Sequence, residues 1–286
     1  MSGPFVGSEA LANGTLSRHQ LRTRYRALFP DVYLSKNSTP SLRQRVAAAR
    51  LWAGGGATVG GLAAAALHGA NWIDEATAIE LIHPNPRPPR GITTRRDVLL
   101  AGERRLVNGL HVTTAARTAF DLGRRGEVGH AVARLDALFR ATGLTVDSVG
   151  QVARRHPGAR GLRQLETVLE LVDAGAESPK ESWLRLLFIR AGLPIPQTQI
   201  PVRAGGDVPF VYLDMGWQDC MVAAEYDGEH HQTRRSVYAK DIRRAERVTE
   251  AGWTVVRVVK EDHPNDILRR VRNAMASRSS SVQWRL

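Results

Sequence analysis

Two carboxylates in this chain stand where carboxylates are costly. In Phe210-Val-Tyr-Leu-Asp214 and in Met221-Val-Ala-Ala-Glu225 an acid closes an otherwise apolar, strand-like run. An unpaired charge buried in such a strand is strongly unfavourable, so an acid placed there pairs with a cation, a metal or a substrate. Near the ends of adjacent strands, Asp214 and Glu225 can share one divalent ion, Mg²⁺ or Mn²⁺, which accepts few carboxylates beside water and phosphate oxygens. His230 and His231 follow a few residues later, and an imidazole ordinarily titrates where it can move a proton near neutrality. Acid pair and imidazole together are the minimum set for metal-assisted phosphodiester hydrolysis.

Each of these residues also has a plainer reading. Asp214 precedes Met-Gly-Trp and can cap a turn, and Asp227-Gly228 is a type I′ turn signal. The histidines can be exposed loop residues. Glu181 lies three positions after Ser178, the spacing of a capping box, with Pro179 at the first helical position. Glu225 is the hardest to explain without chemistry, because its strand reads as buried on both faces.

The elements that must position these groups form a small α/β domain with a mixed sheet. Its order is a helix opened by Ser178, strands at about 196–203, 208–215 and 219–226, a charged helix at about 235–251, a strand at 253–259 and a helix from near Asp262. Arg234, Arg235, Lys240, Arg243 and Arg244 on or beside the charged helix exceed what Asp241, Glu246 and Glu250 can pair, which suits a nucleic-acid backbone. At the other end, Ser8 is read as capping one short helix and Thr15-Leu-Ser17 as preceding a second, Arg18–Arg24. A turn at Pro30-Asp31 and a strand follow. That is the order of a winged helix-turn-helix, with Arg18, Arg22 and Arg24 as DNA contacts.

Between these ends, helices are expected over 41–53, 58–68, 115–124 and 127–140, and strands over 77–83 and 110–113. No site chemistry is read there, and His68 and His111 are isolated. The expected organisation is 1–40 winged helix, 41–150 α/β region, 151–175 helical hinge, 176–276 mixed-sheet domain and 277–286 flexible tail.

Composition sets the wider limits. The chain has 286 residues, 43% apolar and 24% charged, with a formal net charge of +12. That is globular, and it favours an anionic partner, nucleic acid ahead of a membrane surface. Its only lysines are Lys36, Lys180, Lys240 and Lys260; the preference for Arg suits bidentate phosphate contacts, although a GC-rich genome yields the same bias. The single cysteine, Cys220, excludes an intramolecular disulfide and a multi-cysteine zinc site. No secretory signal or membrane span is read from the sequence, so the expectation is a soluble, cytoplasmic protein.

Glu177-Ser-Pro-Lys-Glu181, Leu213-Asp214, Ala224-Glu225-Tyr-Asp-Gly228, His230-His231, Asp241-Ile-Arg243-Arg244 and Gly252-Trp-Thr-Val-Val-Arg257 form an ordered string. It resembles the very-short-patch-repair-like, or DUF559, branch of the PD-(D/E)XK endonucleases. The resemblance spans about 175–275 and implies a restriction-endonuclease-like domain. It also implies metal-facing Asp214 and Glu225, and Glu181 as an additional acid. The strict motif has lysine where this chain has Asp227, and the very-short-patch branch relies on histidine instead, implying His230 or His231. Leu16-Ser-Arg18 to Val32-Tyr-Leu34, Ala63–Gly69 and Val112–Leu122 resemble, by weaker motifs, AbiEi-type antitoxin proteins. The two resemblances imply double-stranded DNA as partner, within repair, defence or a toxin–antitoxin pair. They leave an endonuclease targeted by its winged helix, a non-catalytic DNA-binding regulator retaining a relic nuclease fold, or, as a third reading, an RNA-directed nuclease toxin.

Overall fold

The computed structural model describes residues 3–203, 208–228 and 235–282, with side chains of the last stretch from 241 to 278. The chain divides into two compact units, one up to Glu170 and one from Leu171. It is a mixed α/β protein.

The first unit opens with strand β1 (Phe5–Val6), helix α1 (Gly7–Ala12), helix α2 (Arg18–Arg24), and the strands β2 (Tyr25–Phe29) and β3 (Val32–Ser35). Ser17 caps α2 with Gln20 in a complete capping box. The two strands turn at Pro30-Asp31, where Asp31 takes a left-handed φ of 58°. They pair antiparallel, and β1 adds to the other edge of β3. Ser8 does not cap α1. Val6 is the N-cap, and the Ser8 amide and hydroxyl both donate to the Asp31 carboxylate. A side chain that reaches across to a turn is invisible in local sequence.

Helix α3 (Leu42–Trp52) leads into β4 (Thr58–Gly60), α4 (Gly61–Leu67), β5 (Ile79–Ile82), β6 (Ile92–Arg95), β7 (Arg104–Val107) and β8 (Leu110–Thr113). The expected helix over 58–68 is therefore a strand followed by a helix. Thr58 and Val59 are β-branched, and they are buried between β5 and β8 in a five-stranded mixed sheet ordered β6-β5-β4-β8-β7. The strands β6 and β7, which the sequence pattern does not mark, are short and lie at the sheet's edges. Phe29 and Val32 share one core with Val46, Val59, Ile79, Leu81 and Val112. Residues 1–40 thus pack as part of the larger unit rather than beside it.

Helices α5 (Ala115–Gly123), α6 (Val128–Thr142), α7 (Val146–Arg155) and α8 (Leu162–Leu171) complete this unit. The segment read as a helical hinge, 151–175, is helical up to Arg155 and again over Leu162–Leu171, and the division between the two units falls inside it, after Glu170. Val152, Leu165 and Val168 are buried, and Gly123 lets α5 approach α8 so closely that a Cβ there would meet Leu165 at 2.5 Å. Of the basic run, Arg154 and Arg155 are exposed on α7, Arg163 is exposed on α8, and Arg160 lies in the turn between them.

The second unit has α9 (Pro179–Arg190), β9 (Gln197–Val202), β10 (Val211–Trp217), a single 3₁₀ turn at Gln218–Cys220, β11 (Val222–Tyr226), α10 (Arg235–Glu250), β12 (Thr254–Val258) and α11 (Pro264–Val282). The sheet order is β12-β11-β10-β9; β11 and β12 are parallel and the other pairs antiparallel. A parallel neighbour needs a crossover, and α10 supplies it. One face of the sheet packs on α9 and α11 through Leu184, Phe188, Met215, Ala224, Ile267 and Val271. The opposite face packs on α10 through Leu213, Ala223 and Val248. The last helix runs on to Val282, where the sequence suggested a tail from Ser277.

Candidate active site

The pairing of Met215 with Ala224 places Asp214 across from Glu225 at the same end of β10 and β11. Asp214 lies inside β10 rather than at a turn, so the capping reading is overturned. The inward face of the strand changes at this residue: Leu213 packs toward α10 and Met215 toward α9 and α11. Opposite it on β9, Gln199 has φ 49°, and the ladder pairing is interrupted at that pair. A strand irregularity of this kind re-aims a side chain. Here it turns the carboxylate toward the end of β11, where one oxygen accepts the Tyr226 amide at 2.9 Å.

Burial pushes the Asp214 carboxyl up to about 7, and the negative charges of Glu181 and Glu225 add to the rise; the Tyr226 amide and Arg244 only partly offset it. Acids from α9 and β11 therefore both act on Asp214 of β10. Glu181 also holds its helix end: its carboxylate accepts the Glu177 amide and the Ser178 hydroxyl, each at 2.8 Å, while its own amide donates to Ser178 Oγ. The capping role and the role as third acid are compatible.

A cleft of about 340 Å³ is lined by Asp214, Glu225, Tyr226, Asp227, Asp241, Arg244 and Arg257. Its cations come from two elements. Arg244 on α10 places Nη2 2.5 Å and Nη1 3.3 Å from the Glu225 oxygens, and Nη2 also reaches the Tyr212 carbonyl at 3.4 Å. Arg257 stands beside Glu225 in the parallel β11–β12 register. Sequence reasoning gave Arg257 no role, although an arginine inside Val-Val-Arg-Val-Val breaks an apolar strand by the same logic that singled out the two acids. The Asp227 amide donates to the Val258 carbonyl at 2.8 Å, continuing the ladder beside β12, and its side chain joins the cleft wall; the turn read at Asp227-Gly228 runs on into residues outside the described ones.

The other predicted residues that the structure describes do not line the cleft. Arg243 is exposed on α10 without joining the cleft. His230, His231 and Arg234 lie outside the described residues, as do the side chains of Arg235 and Lys240. Arg18, Arg22 and Arg24 are exposed on α2 in the first unit. Nearby, Lys36 Nζ donates to the Arg22 carbonyl at 2.7 Å.

Hard oxygen donors with a pair of carboxylates fit a divalent ion such as Mg²⁺, which keeps several of its waters. Among the described residues, no three His, Cys, Asp or Glu side chains are grouped to hold a metal ion. A fit therefore rests on Asp214 and Glu225 with solvent or substrate oxygens. Among the same residues, no helix is long and apolar enough to cross a membrane.

The region where the sequence reading found no chemistry holds a buried ionic network. Arg117 on α5, 1% exposed, donates to Glu103 at 2.5 Å, to Asp121 at 2.9 Å and to the Val98 carbonyl at 2.7 Å. His156 Nε2 lies 2.8 Å from Glu103. Because the buried charges are paired and hydrogen-bonded, this is a cross-link between α5, the start of β7 and the end of α7.

Fold and site together define a mixed α/β protein with an acid-lined cleft at the end of a four-stranded sheet. Two Mycobacterium tuberculosis proteins are similar to it, uncharacterized protein MT2308 of strain CDC 1551 / Oshkosh and uncharacterized protein Rv2248 of strain H37Rv. Each is 31% identical over 225 residues, covering 78% of this chain and 82% of the relative. The chain belongs to the family of these proteins. No family model and no solved structure matches it.

Proposed function

We propose that the chain is a metal-dependent DNA endonuclease, its second unit a restriction-endonuclease-like domain and its first unit guided to DNA by a winged helix formed by α2, β2 and β3. The observation that carries this reading is the placement of Asp214 and Glu225 side by side on β10 and β11, beside Glu181, in a cleft that also presents Arg244 and Arg257. The resemblance to the DUF559 branch of PD-(D/E)XK endonucleases supports the same assignment, and the resemblance to AbiEi-type proteins supports the winged helix.

In this reading Asp214 and Glu225 would hold the divalent ion. When bound, the ion supplies positive charge to a phosphate oxygen and lowers the pKa of a water. The chain's own groups do the rest. Arg244, which pairs with Glu225, and Arg257 would each offer a guanidinium to the phosphate oxygens through charge-assisted hydrogen bonds. His230 or His231 moves the proton between water and leaving oxygen. Arg243, with Arg234, Arg235 and Lys240, adds backbone affinity along α10.

A second reading draws on the Arg244–Glu225 ion pair and on Asp227 at the usual lysine position: a DNA-binding regulator of the antitoxin type in which an internal arginine has replaced the metal. One experiment separates the two. Supercoiled plasmid is incubated with the protein and Mg²⁺ or Mn²⁺, beside an EDTA control. Metal-dependent nicking that disappears in Asp214→Ala and Glu225→Ala, with DNA binding equal or slightly tighter, supports the nuclease. Binding without nicking under every metal condition favours the regulator.

A further inference from the structure

Helix α9 is buried along most of its surface, yet its solvent-facing stripe carries Lys180 and, one turn later, Trp183. Trp183 is 39% exposed. A large aromatic at a solvent position of a well-packed helix gains little from the fold, and aromatic faces left open beside a cleft are characteristic of binding surfaces. Trp183 does not stand alone. Its ring meets Tyr226 at a centroid distance of 6.5 Å and an interplanar angle of 87°, an edge-to-face contact rather than a stack. Lys180 Nζ lies 5.6 Å from the Tyr226 ring centre.

Tyr226 ties this trio to the acids. It follows Glu225 directly, its amide donates to Asp214, and it lines the cleft. The trio therefore lies on the α9 side of the sheet end, while Arg244 approaches Glu225 from α10 on the other.

We propose that Trp183, Tyr226 and Lys180 form a stacking platform for an unpaired nucleobase, so that the strand entering the cleft is single-stranded, frayed or locally opened rather than intact duplex. This rests on the nucleic-acid reading of the cleft and specifies its substrate. A base inside a duplex offers only its edge, because its faces are taken by its neighbours. Only an unstacked base can lie on the indole face. Lys180 supplies the accompanying cation for the phosphate of that nucleotide, and stacking on an aromatic accepts any base. The side-chain chemistry favours this occupant over a protein partner, since an aromatic pair with a lysine beside an acid cleft matches a base followed by a phosphate that an ion and arginines can engage.

The test measures binding, not cleavage. Fluorescein-labelled oligothymidine and a duplex of equal length are titrated with the full chain in EDTA, read by anisotropy. Trp183→Ala should bind oligothymidine roughly tenfold more weakly, the size of one base–aromatic stack, with duplex binding unchanged. Trp183→Phe should recover most of the loss, and thermal unfolding should match the parent for both variants. Lys180→Gln should flatten the salt dependence for the single strand only. Unchanged oligothymidine binding by Trp183→Ala, or equal losses on both nucleic acids, overturns the platform. Loss of nicking in Asp214→Ala bears on the catalytic reading alone, so the two can fail separately.

Discussion

At the scale of single residues, Asp214 and Arg244 set the charge of the cleft, and with it how the proposed ion site would respond to protons and metal. The folded Asp214 carboxyl keeps its proton up to about pH 7, whereas an unfolded chain releases it near 3.8. The folded state thus binds more protons between these values, and the stability Asp214 contributes is complete at low pH and lost as pH rises through about 7. Thermal melts of the metal-free protein across this window should fall with pH, and Asp214→Asn should flatten the trend. Because an ion needs the carboxylate, Mn²⁺ affinity followed by calorimetry should climb by about tenfold per pH unit below neutrality and then level off. Arg244→Gln addresses the competing cation. It should bind Mn²⁺ more tightly than the parent, because Glu225 loses a guanidinium 2.5 Å away, yet nick plasmid more slowly. Weaker Mn²⁺ binding in that variant would mean that Arg244 helps to build the ion site rather than competing for it.

At the scale of elements, the first unit depends on cross-links that join helices to sheet edges. Burial alone would raise the Glu103 carboxyl, but the hydrogen bond to His156, the Leu100 amide and the Arg117 guanidinium outweigh it and hold the group below its usual range. A lowered folded pKa means stability that is present above the ordinary carboxylate range and lost as pH falls through the lowered value. Glu103→Gln should cost on the order of 3 kcal/mol in urea unfolding, as for other broken buried pairs, and should blunt the acid transition. The α8 helix gives a complementary test of packing within this unit. Leu165 is 1% exposed and touches the space beside Gly123. Leu165→Ala should therefore cost about 2–5 kcal/mol, where a linker residue would cost almost nothing.

At the scale of the whole molecule, the formal charge of +12 favours polyanions, but charge alone does not say where they bind. The proposed winged helix concentrates Arg18, Arg22 and Arg24 on one exposed helix. Replacing all three with alanine should weaken duplex binding and lower the slope of log affinity against log salt by about one unit for each phosphate no longer neutralised. A slope equal to the parent's would assign the electrostatic footprint to the second unit.

The sequence by itself determined much of the second unit. Apolar runs of strand length, the Ser178 cap and Gly252 placed α9, β11, α10 and β12 within a few residues, because these signals are local. The same patterning singled out Asp214 and Glu225 as acids in apolar strands. In the first unit, Thr58–Gly60 was absorbed into a helix and the edge strands β6 and β7 were missed, since strand formation there depends on neighbours distant in the chain. Tertiary structure alone decided that Asp214 turns at an irregular pair with Gln199, that Arg244 rather than Arg243 faces Glu225, that Arg257 joins the cleft and that Glu103, Arg117 and His156 meet. Each is a meeting of separate elements, and periodicity records which face of an element is apolar but not which side chain of another element stands against it.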